Sequence, residues 1–524
     1  MNLTNNQTTR VFDSGGTATI TVNGTDQGGS EFSIDGIPDT VGTTMSAAFI
    51  PPPSAVQEFK IQTLNFDATK GFVPGAVINL SMKSGTNQIH GEGNWFLQNP
   101  ALAANTFFSN SAGLLKVAYR QNRWEGMLAG PVLLPKTYDG RNRTFWMYDY
   151  SGVHDSLPNI TTSTVTVPTA AERTGDFSGL LKLGSQYQVY DPATITPSSG
   201  GRTTRLPFAG NIIPANRIAP TATAIIDQYY PLPNLAGRAD GANNRYEPTA
   251  ENNNYWSQAF RVDEVLSERN RVFISGDASA RDAHTAYQFN GAIGRHVMQQ
   301  NRGIGLNDVY VVSPHLVMNT RYSFTHYQQL VLPDEASANL AKLGFSPQFI
   351  GAIEGSDARG AQLPYLQFSG YTSLGSDVRS EVSPSIHSFG ADVTWIRGSH
   401  SLQFGATGRI YLESGYTLTN SSGNLSFSSN WTRGPLDNSA AAPIGQDLAS
   451  FLLGLPASGS AQVNASYAEK YGVSAYYVQD MWRVSRRLTL TLGCAMRTRF
   501  LPGNAITAPS ANSISTPPVQ SPLP

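Results

Sequence analysis

The sequence is poor in charge and in cysteine. Charged residues make up 14% of its 524 residues, the formal net charge is −1 and the isoelectric point is about 6.7. No basic field is therefore present to hold a phosphate backbone, and we expect no nucleic-acid partner. The single cysteine, Cys494, excludes an internal disulfide and a Cys-based zinc cage.

Long hydrophobic runs are also missing. The best run, Ala449 to Leu455, is far shorter than the roughly eighteen apolar residues of a membrane helix. Met1 is followed by polar residues, which is not typical of a signal peptide. If the protein lies in a membrane, we expect that an N-terminal segment is missing or that strands cross the bilayer.

Enzyme and metal motifs are absent as well. The sequence has no His-Glu-x-x-His, phosphate loop, Gly-x-Ser-x-Gly or complete Gly-x-Gly-x-x-Gly motif. Its eight histidines include no pair at helical metal spacing, and Asp26, Glu31 and Asp39 do not match a calcium loop. We predict that the protein is not an enzyme and has no cofactor and no metal centre.

Glycine, proline, tyrosine and phenylalanine are plentiful, and this balance predicts an all-β fold. Apolar and polar residues alternate along 401–413 and 487–497, so that Leu490, Leu492, Cys494 and Met496 share one face. These segments reach the nine to eleven residues, roughly, that a tilted transmembrane strand needs.

Short and long connections take turns between the strand-like segments. Short polar links are predicted at 136–142, 267–270, 313–315, 397–400 and 485–486, and long links at 99–118, 153–254, 281–300, 331–385 and 414–470. Short turns at one end and long loops at the other are typical of outer-membrane barrels. We predict about eleven barrel strands between His90 and Phe500, an incomplete barrel, and an unstructured tail over 501–524.

Alternation alone does not choose between a membrane barrel and a soluble sheet whose apolar face turns inward. The loop asymmetry favours the membrane, as do aromatic residues near strand ends such as Trp146, Tyr476 and Trp482. Because tyrosine and tryptophan also fill sheet cores, a soluble extracellular β-sheet protein stays open as an alternative.

Several separated segments resemble the TonB-dependent outer-membrane receptors, particularly their Oar-like group. The similar segments are Glu31–Gly36, Pro53–Lys60, Lys83–Gly91, Val167–Ser178, Tyr190–Pro192, Gly210–Ile218, Tyr229–Asn234, Ala449–Pro456 and Tyr476–Leu490. The resemblance implies a transmembrane antiparallel β-barrel, with about 11 of about 22 strands present, preceded by the C-terminal part of a plug domain. It implies plug residues 1–88 and barrel residues 89–500, with 153–254 as the largest extracellular loop.

The resemblance further implies a receptor in the outer membrane of a Gram-negative bacterium. Such a receptor binds an extracellular ligand and takes it up when the TonB-ExbB-ExbD complex rearranges the plug, here through an N-terminal part that this sequence lacks. Besides the soluble protein, one alternative is a surface adhesion or matrix-binding protein that uses the barrel as an anchor in outer-membrane lipid. The ligand is not predicted.

Four charged residues are expected to face the lumen of the barrel: Arg409, Glu413, Arg487 and Arg497. They are candidates for contacting the plug or an anionic ligand, and the alternative is a charge ladder across neighbouring strands. Ligand contacts are expected chiefly from loop 153–254 and the plug apex.

Backbone turns are predicted from glycine. Asp35-Gly36 predicts a hairpin turn inside the plug. Gly85 and Gly91 are expected where positive φ or a sharp change of direction is needed between plug and barrel, the alternative being ordinary loop glycines.

Overall fold

Strands dominate the structure, a computed structural model that describes residues 30–40, 47–63, 68, 75–105, 107–111, 116, 119–159, 164–247, 249–333, 338–356, 362–375, 378–419, 422–461 and 466–506. In chain order the strands are β1 Glu31–Ile34, β2 Ile37–Pro38, β3 Val56–Gln62, β4 Val77–Met82, β5 His90–Gln98, β6 Arg120–Pro131, β7 Leu133–Leu134, β8 Tyr138–Asp139, β9 Thr144–Asn159, β10 Thr164–Val165, β11 Tyr190–Ser198, β12 Arg202–Pro207, β13 Arg245–Tyr246, β14 Thr249–Ser267, β15 Asn270–Gln288, β16 Ile293–Ser313, β17 Leu316–Pro333, β18 Tyr365–Phe368, β19 Val378–Val382, β20 Ser385–Arg397, β21 His400–Thr419, β22 Asn424–Phe427, β23 Ser458–Ser460, β24 Ser466–Arg483 and β25 Thr489–Ile506.

Helices are few and short. The α-helices are α1 Phe107–Ser111, α2 Ala170–Arg173, α3 Ser178–Leu181, α4 Pro220–Tyr229, α5 Pro347–Ser356 and α6 Gln446–Leu452. Single 3-10 turns span Pro53–Ala55, Pro100–Leu102, Ser185–Tyr187, Ser199–Gly201, Ala209–Asn211, Ala215–Arg217 and Phe289–Gly291. Among the described residues, no helix is both long and apolar enough to cross a membrane.

One large antiparallel sheet contains eleven strand positions, in the order β5-β6-β9-β14-β15-β16-β17-β19/β20-β21-β24-β25. β19 and β20 share a position because Pro384, which has no N–H, interrupts the ladder between them. The Tyr327 N–H donates to the Pro384 carbonyl oxygen at 3.0 Å across this break. Within the described residues, β5 and β25 each pair on one side only. The all-β class is confirmed, and the described part of the sheet has eleven strand positions, as predicted.

The outer face of this sheet is apolar and its inner face is polar. On β16, Ile304 and Leu306 point outward and are exposed, whereas Asn301 and Asn307 point inward and are buried. On β25, Leu492 and Met496 are 60% and 58% exposed. An exposed apolar face suits lipid and not water, so the alternative of a soluble sheet with an inward apolar face is wrong.

The two ends of the sheet differ as predicted. At one end, tight hairpins join β14 to β15, β16 to β17 and β20 to β21. At the other end lie the long connections 99–119, 160–248, 334–377 and 420–465. The long link predicted at 281–300 is wrong, because β15 and β16 continue to Gln288 and from Ile293 and are joined by only 289–292.

The predicted tail also begins too early. Strand β25 continues through Ile506, beyond the predicted start at Leu501, and pairs with β24 as far as Ala468. Residues 507–524 lie outside the described residues, as do residues 1–29 of the predicted plug.

A small second sheet, the inner sheet, has the order β2-β1-β4-β3. β1 and β4 run parallel, so that Glu31 lies opposite Val77. Phe32 and Ile78 pack in one buried cluster, and Phe49 packs with Ile34 in a second one. Asp35 and Gly36 have φ values of 51° and 78° in the turn between β1 and β2. Two positive φ values are typical of a type I′ hairpin, and the predicted Asp35-Gly36 turn is confirmed.

Three of the long connections fold together with the 289–292 tip into a third region, which we call the cap: residues 164–247, 289–292, 338–356, 362–375 and 422–461. One hydrophobic core joins all five segments and includes Phe177, Ile226, Phe289, Leu366 and Leu448. α6 is buried along its whole length within this core. The cap is therefore a folded unit and not a set of separate loops.

Candidate functional site

Buried ionic contacts hold the inner sheet against the large sheet. Arg409 on β21 donates from Nη2 to Glu31 Oε1 at 2.8 Å and from Nη1 to Glu31 Oε2 at 3.2 Å, a two-pronged contact between side chains that are about one-tenth exposed. Arg261 on β14 lies 3.0 Å from Asp35 Oδ1 and also contacts Asp263. Burial raises the pKa of the Asp35 carboxyl, although Arg261 opposes this shift.

Hydrogen bonds continue this contact across the sheet. Ser54 Oγ donates to Asp149 on β9 at 2.5 Å, and the Ala68 N–H donates to Gln479 Oε1 on β24 at 2.9 Å. Thr325 Oγ1 on β17 donates to the Pro38 carbonyl oxygen at 3.3 Å. The inner sheet and the residues that flank its strands thus contact strands from β9 to β24, so the large sheet curves around them.

Gly85 lies where the backbone leaves the inner sheet and passes close to β6 and β9. A Cβ atom added there would lie 2.5 Å from the Gly130 carbonyl oxygen and 2.6 Å from that of Trp146. Both neighbours are backbone atoms of paired strands and cannot move aside. Glycine is required here because the backbone of other strands approaches closely. Positive φ, one of the two predicted reasons, is not the cause.

The four charged candidates lie in three different environments. Arg409 contacts Glu31 as described, and Glu413 is buried on the same face, where its Oε1 accepts a hydrogen bond from the Tyr471 hydroxyl at 3.0 Å. Arg497 lies opposite Ala475 on the inner face of β25. Arg487 is wrongly placed by the sequence: it lies in the exposed turn between β24 and β25, where its N–H donates to Ser485 Oγ.

The cap contains a cavity of about 390 Å³ between α4, α5 and the β18-β22-β23 sheet. This volume falls within the range of small-molecule sites, roughly 300–1,000 Å³. The lining is mainly apolar and aromatic and comprises Ala219, Thr221, Ala222, Ile225, Gly344, Phe345, Ser346, Phe349, Leu366, Leu425, Phe427, Phe451, Gly454 and Pro456. Loop 153–254 supplies only the α4 part of this lining.

Buried polar contacts fix the cap around the cavity. Tyr371 donates to Glu172 Oε1 at 2.8 Å, and the Gly370 N–H donates to Asp447 Oδ2 on α6 at 2.6 Å. Burial raises the pKa of the Asp447 carboxyl, although backbone N–H donors oppose the shift. Burial and the Glu172 carboxylate raise the pKa of Tyr371 well above its ordinary value. These groups position the cap and do not line the cavity.

A histidine and aspartate cluster lies on the outer face of the β15–β16 hairpin. Asp282, His284 and His296 have ligand atoms within 4.8 Å of one another. Helical spacing between histidines, the only spacing considered above, does not reveal this cluster. The sequence does contain a signal for it. Asp282 and His284 are two residues apart, so on a strand they share a face, and His296 follows on the other side of a hairpin.

Comparison with known proteins decides the family. The family described as "Outer membrane beta barrel domain" matches residues 81–495. The chain belongs to this outer-membrane β-barrel family. Its place is the outer membrane of Gram-negative bacteria. A search of curated proteins found no match.

Solved structures of outer-membrane proteins are similar to this chain at low sequence identity. The outer membrane transporter YddB from Escherichia coli is 9% identical, with a TM-score of 0.51 over 92% of this chain and 50% of that chain. The ferripyoverdine receptor of Pseudomonas aeruginosa is 11% identical, with a TM-score of 0.45 over 95% of this chain and 49% of that chain. The chain spans about half the length of these structures.

Proposed function

We propose that the chain is part of a TonB-dependent receptor of the Oar-like group, which binds an extracellular ligand and admits it through the barrel without catalysis. The observation that supports this proposal is the separately folded inner sheet, held on the polar face of the barrel by contacts such as Arg409–Glu31. In this proposal the inner sheet belongs to a plug spanning residues 1–88, and residues 89–500 are barrel. In this proposal the TonB-ExbB-ExbD complex supplies the energy that rearranges the plug.

We place the long-loop end of the barrel outside the cell, with the cap as the region that meets the ligand. The cavity between α4 and α5 offers stacked aromatic rings, since Phe345 and Phe349 lie 5.1 Å apart between ring centroids. Apolar and aromatic walls with few polar groups favour a small molecule that has an apolar or aromatic part. The lumen-facing Glu413 and Arg497 lie along the route that such a ligand would follow.

An uptake assay tests this function. Cells producing the receptor, with and without active TonB, are given radiolabelled ferric siderophores, oligosaccharides and peptides. We expect at least one probe to accumulate only when TonB is active. Equal accumulation in both strains for every probe contradicts energised uptake.

Two variants test the cavity. Phe345→Ala and Phe349→Ala each remove an aromatic wall, and loss of about 1 kcal/mol of apolar contact weakens binding of the accumulated probe about fivefold. Phe107→Ala is the matched control, because Phe107 is 78% exposed and lies outside the cap. Equal effects of all three substitutions would place the ligand elsewhere.

The adhesion alternative predicts a different result. An anchored adhesin binds its surface partner equally well with and without TonB and accumulates none of the soluble probes. The same pair of strains, tested for attachment to an immobilised matrix, therefore separates the two functions.

A further inference from the structure

We propose that Asp282, His284 and His296 form a binding site for a divalent transition-metal ion on the outer face of the barrel, with Zn²⁺ as the best-fitting ion. His284 and Asp282 are two residues apart on β15, so their side chains share a face. His296 lies directly opposite His284 on β16. The pairing register thus brings all three side chains to one place.

The donor atoms converge on a single point. The Nε2 atom of His296 lies 2.9 Å from Asp282 Oδ1, and the Nε2 atom of His284 lies 4.0 Å from the same oxygen. The two imidazole rings are stacked, with centroids 4.3 Å apart and planes inclined by 8°. Both Nε2 atoms therefore approach the same carboxylate from parallel rings.

This spacing is close to that of a metal site. Tetrahedral zinc bonded at about 2.0–2.1 Å holds neighbouring donors about 3.4 Å apart. The donors here already lie within 4.8 Å of one another. The side chains of Asp282 and His284 are about half exposed, so small rotations close the remaining distance.

The donor types select the ion. Two imidazole nitrogens with one carboxylate oxygen suit zinc, copper, nickel and ferrous iron, whereas magnesium and calcium prefer oxygen donors throughout. Three protein donors leave a fourth tetrahedral position for water or a further ligand. The outward direction of the side chains gives the ion direct access from solvent.

The position of the site gives the ion a structural effect. The two strands that carry the donors end in the 289–292 tip, and Phe289 and Ala292 of that tip pack in the cap core. A metal bound to both strands holds their ends together just before they enter the cap. We therefore expect bound zinc to slow amide exchange at the tip.

The first test is direct binding to the untagged chain in detergent, stripped with EDTA and titrated with Zn²⁺ by calorimetry. The expected result is one zinc per chain, with no comparable binding of Mg²⁺. His284→Ala and His296→Ala should each weaken zinc binding at least about tenfold, the loss typical of even a second-shell change. Failure of the native chain to bind zinc overturns the proposal.

Two other histidines serve as matched controls. In each case a single imidazole lies near a side-chain oxygen acceptor. His400 lies 2.7 Å from Asp480, and His154 lies 2.5 Å from the Asn254 side-chain oxygen. His400→Ala and His154→Ala should leave zinc binding unchanged. An equal loss in the controls, or retained stoichiometry in the His284→Ala/His296→Ala double variant, refutes the site.

A spectroscopic measurement identifies the donors independently. Cu²⁺ bound to the native chain should show hyperfine coupling to two imidazole nitrogens by electron paramagnetic resonance, and to one in His284→Ala. Identical spectra in the two proteins would overturn the assignment. Unchanged heat-modifiability on gels shows that each variant is folded.

Discussion

Replacing Arg409 with methionine should loosen the inner sheet, because it leaves the Glu31 carboxylate buried without its two-pronged cation. Breaking a buried ion pair by removing one partner costs about 3–5 kcal/mol, because the remaining charge stays desolvated and is no longer compensated by an opposite charge. A decrease of about 3 kcal/mol in the free energy of local opening of β1 makes its amide exchange at least about 100-fold faster. Hydrogen exchange at Phe32 and Ile78 measures this change.

The double variant Glu31→Leu/Arg409→Met distinguishes a charge effect from a packing effect. Because no charge is left unpaired, most of the protection at Phe32 should return. The exposed pair Arg141 and Asp139, 3.7 Å apart, is the control, and Arg141→Met should change exchange at β1 by less than about threefold. The reasoning fails if Arg409→Met behaves like this control, or if the double variant shows the sum of the two single effects.

Three further predictions concern the junction and the cap. Gly85→Ala should destabilise docking of the inner sheet by about 2 kcal/mol or more in urea unfolding, whereas Gly93→Ala, whose Cβ meets nothing within 4 Å, should cost about 1 kcal/mol or less. The raised pKa of Asp447 means that its charged form is disfavoured in the folded cap. Cap stability should therefore fall as pH rises from the ordinary pKa of 3.8 through the raised value. In Asp447→Asn, the thermal unfolding temperature should lack this dependence on pH. Phe451→Ala should cost about 3–5 kcal/mol, seen as faster exchange in α6 while β16 is unaffected, and uniform change in both would contradict a separate cap core.

The membrane strands were predictable because lipid imposes a period of two. Leu490, Leu492 and Met496 had to share the outer face, and the structure exposes all three there. The same rule placed Arg409 and Glu413 inside. Arg487 was misplaced because Leu488 continues the alternation by one step, although Ser485 already closes the turn.

The alternation of apolar and polar residues is weaker where a strand extends beyond the lipid. Along 281–300 the outward positions include Asp282, His284 and His296, so no apolar stripe marks the strands, and the segment resembled a loop. Yet β15 and β16 have 19 and 21 residues, about twice what a bilayer requires. The contact of the three side chains depends on register between two strands, which spacing along one strand does not reveal.

The cap was the least predictable region, because its core is assembled from five segments that are spread from residue 164 to residue 461. Its clearest signal, the apolar run Ala449–Leu455, is too short for a membrane helix, and its first four residues form the C-terminal part of α6. Apolar side chains therefore face outward in the barrel and inward in the cap. This change occurs towards the ends of β15 and β16 that carry the 289–292 tip. Since the β15–β16 tip packs into the cap core through Phe289, movement of this hairpin and movement of the cap are mechanically joined. The tip also contacts α4, which forms one wall of the cavity, because Asn290 Nδ2 donates to the Gln228 carbonyl oxygen at 3.2 Å.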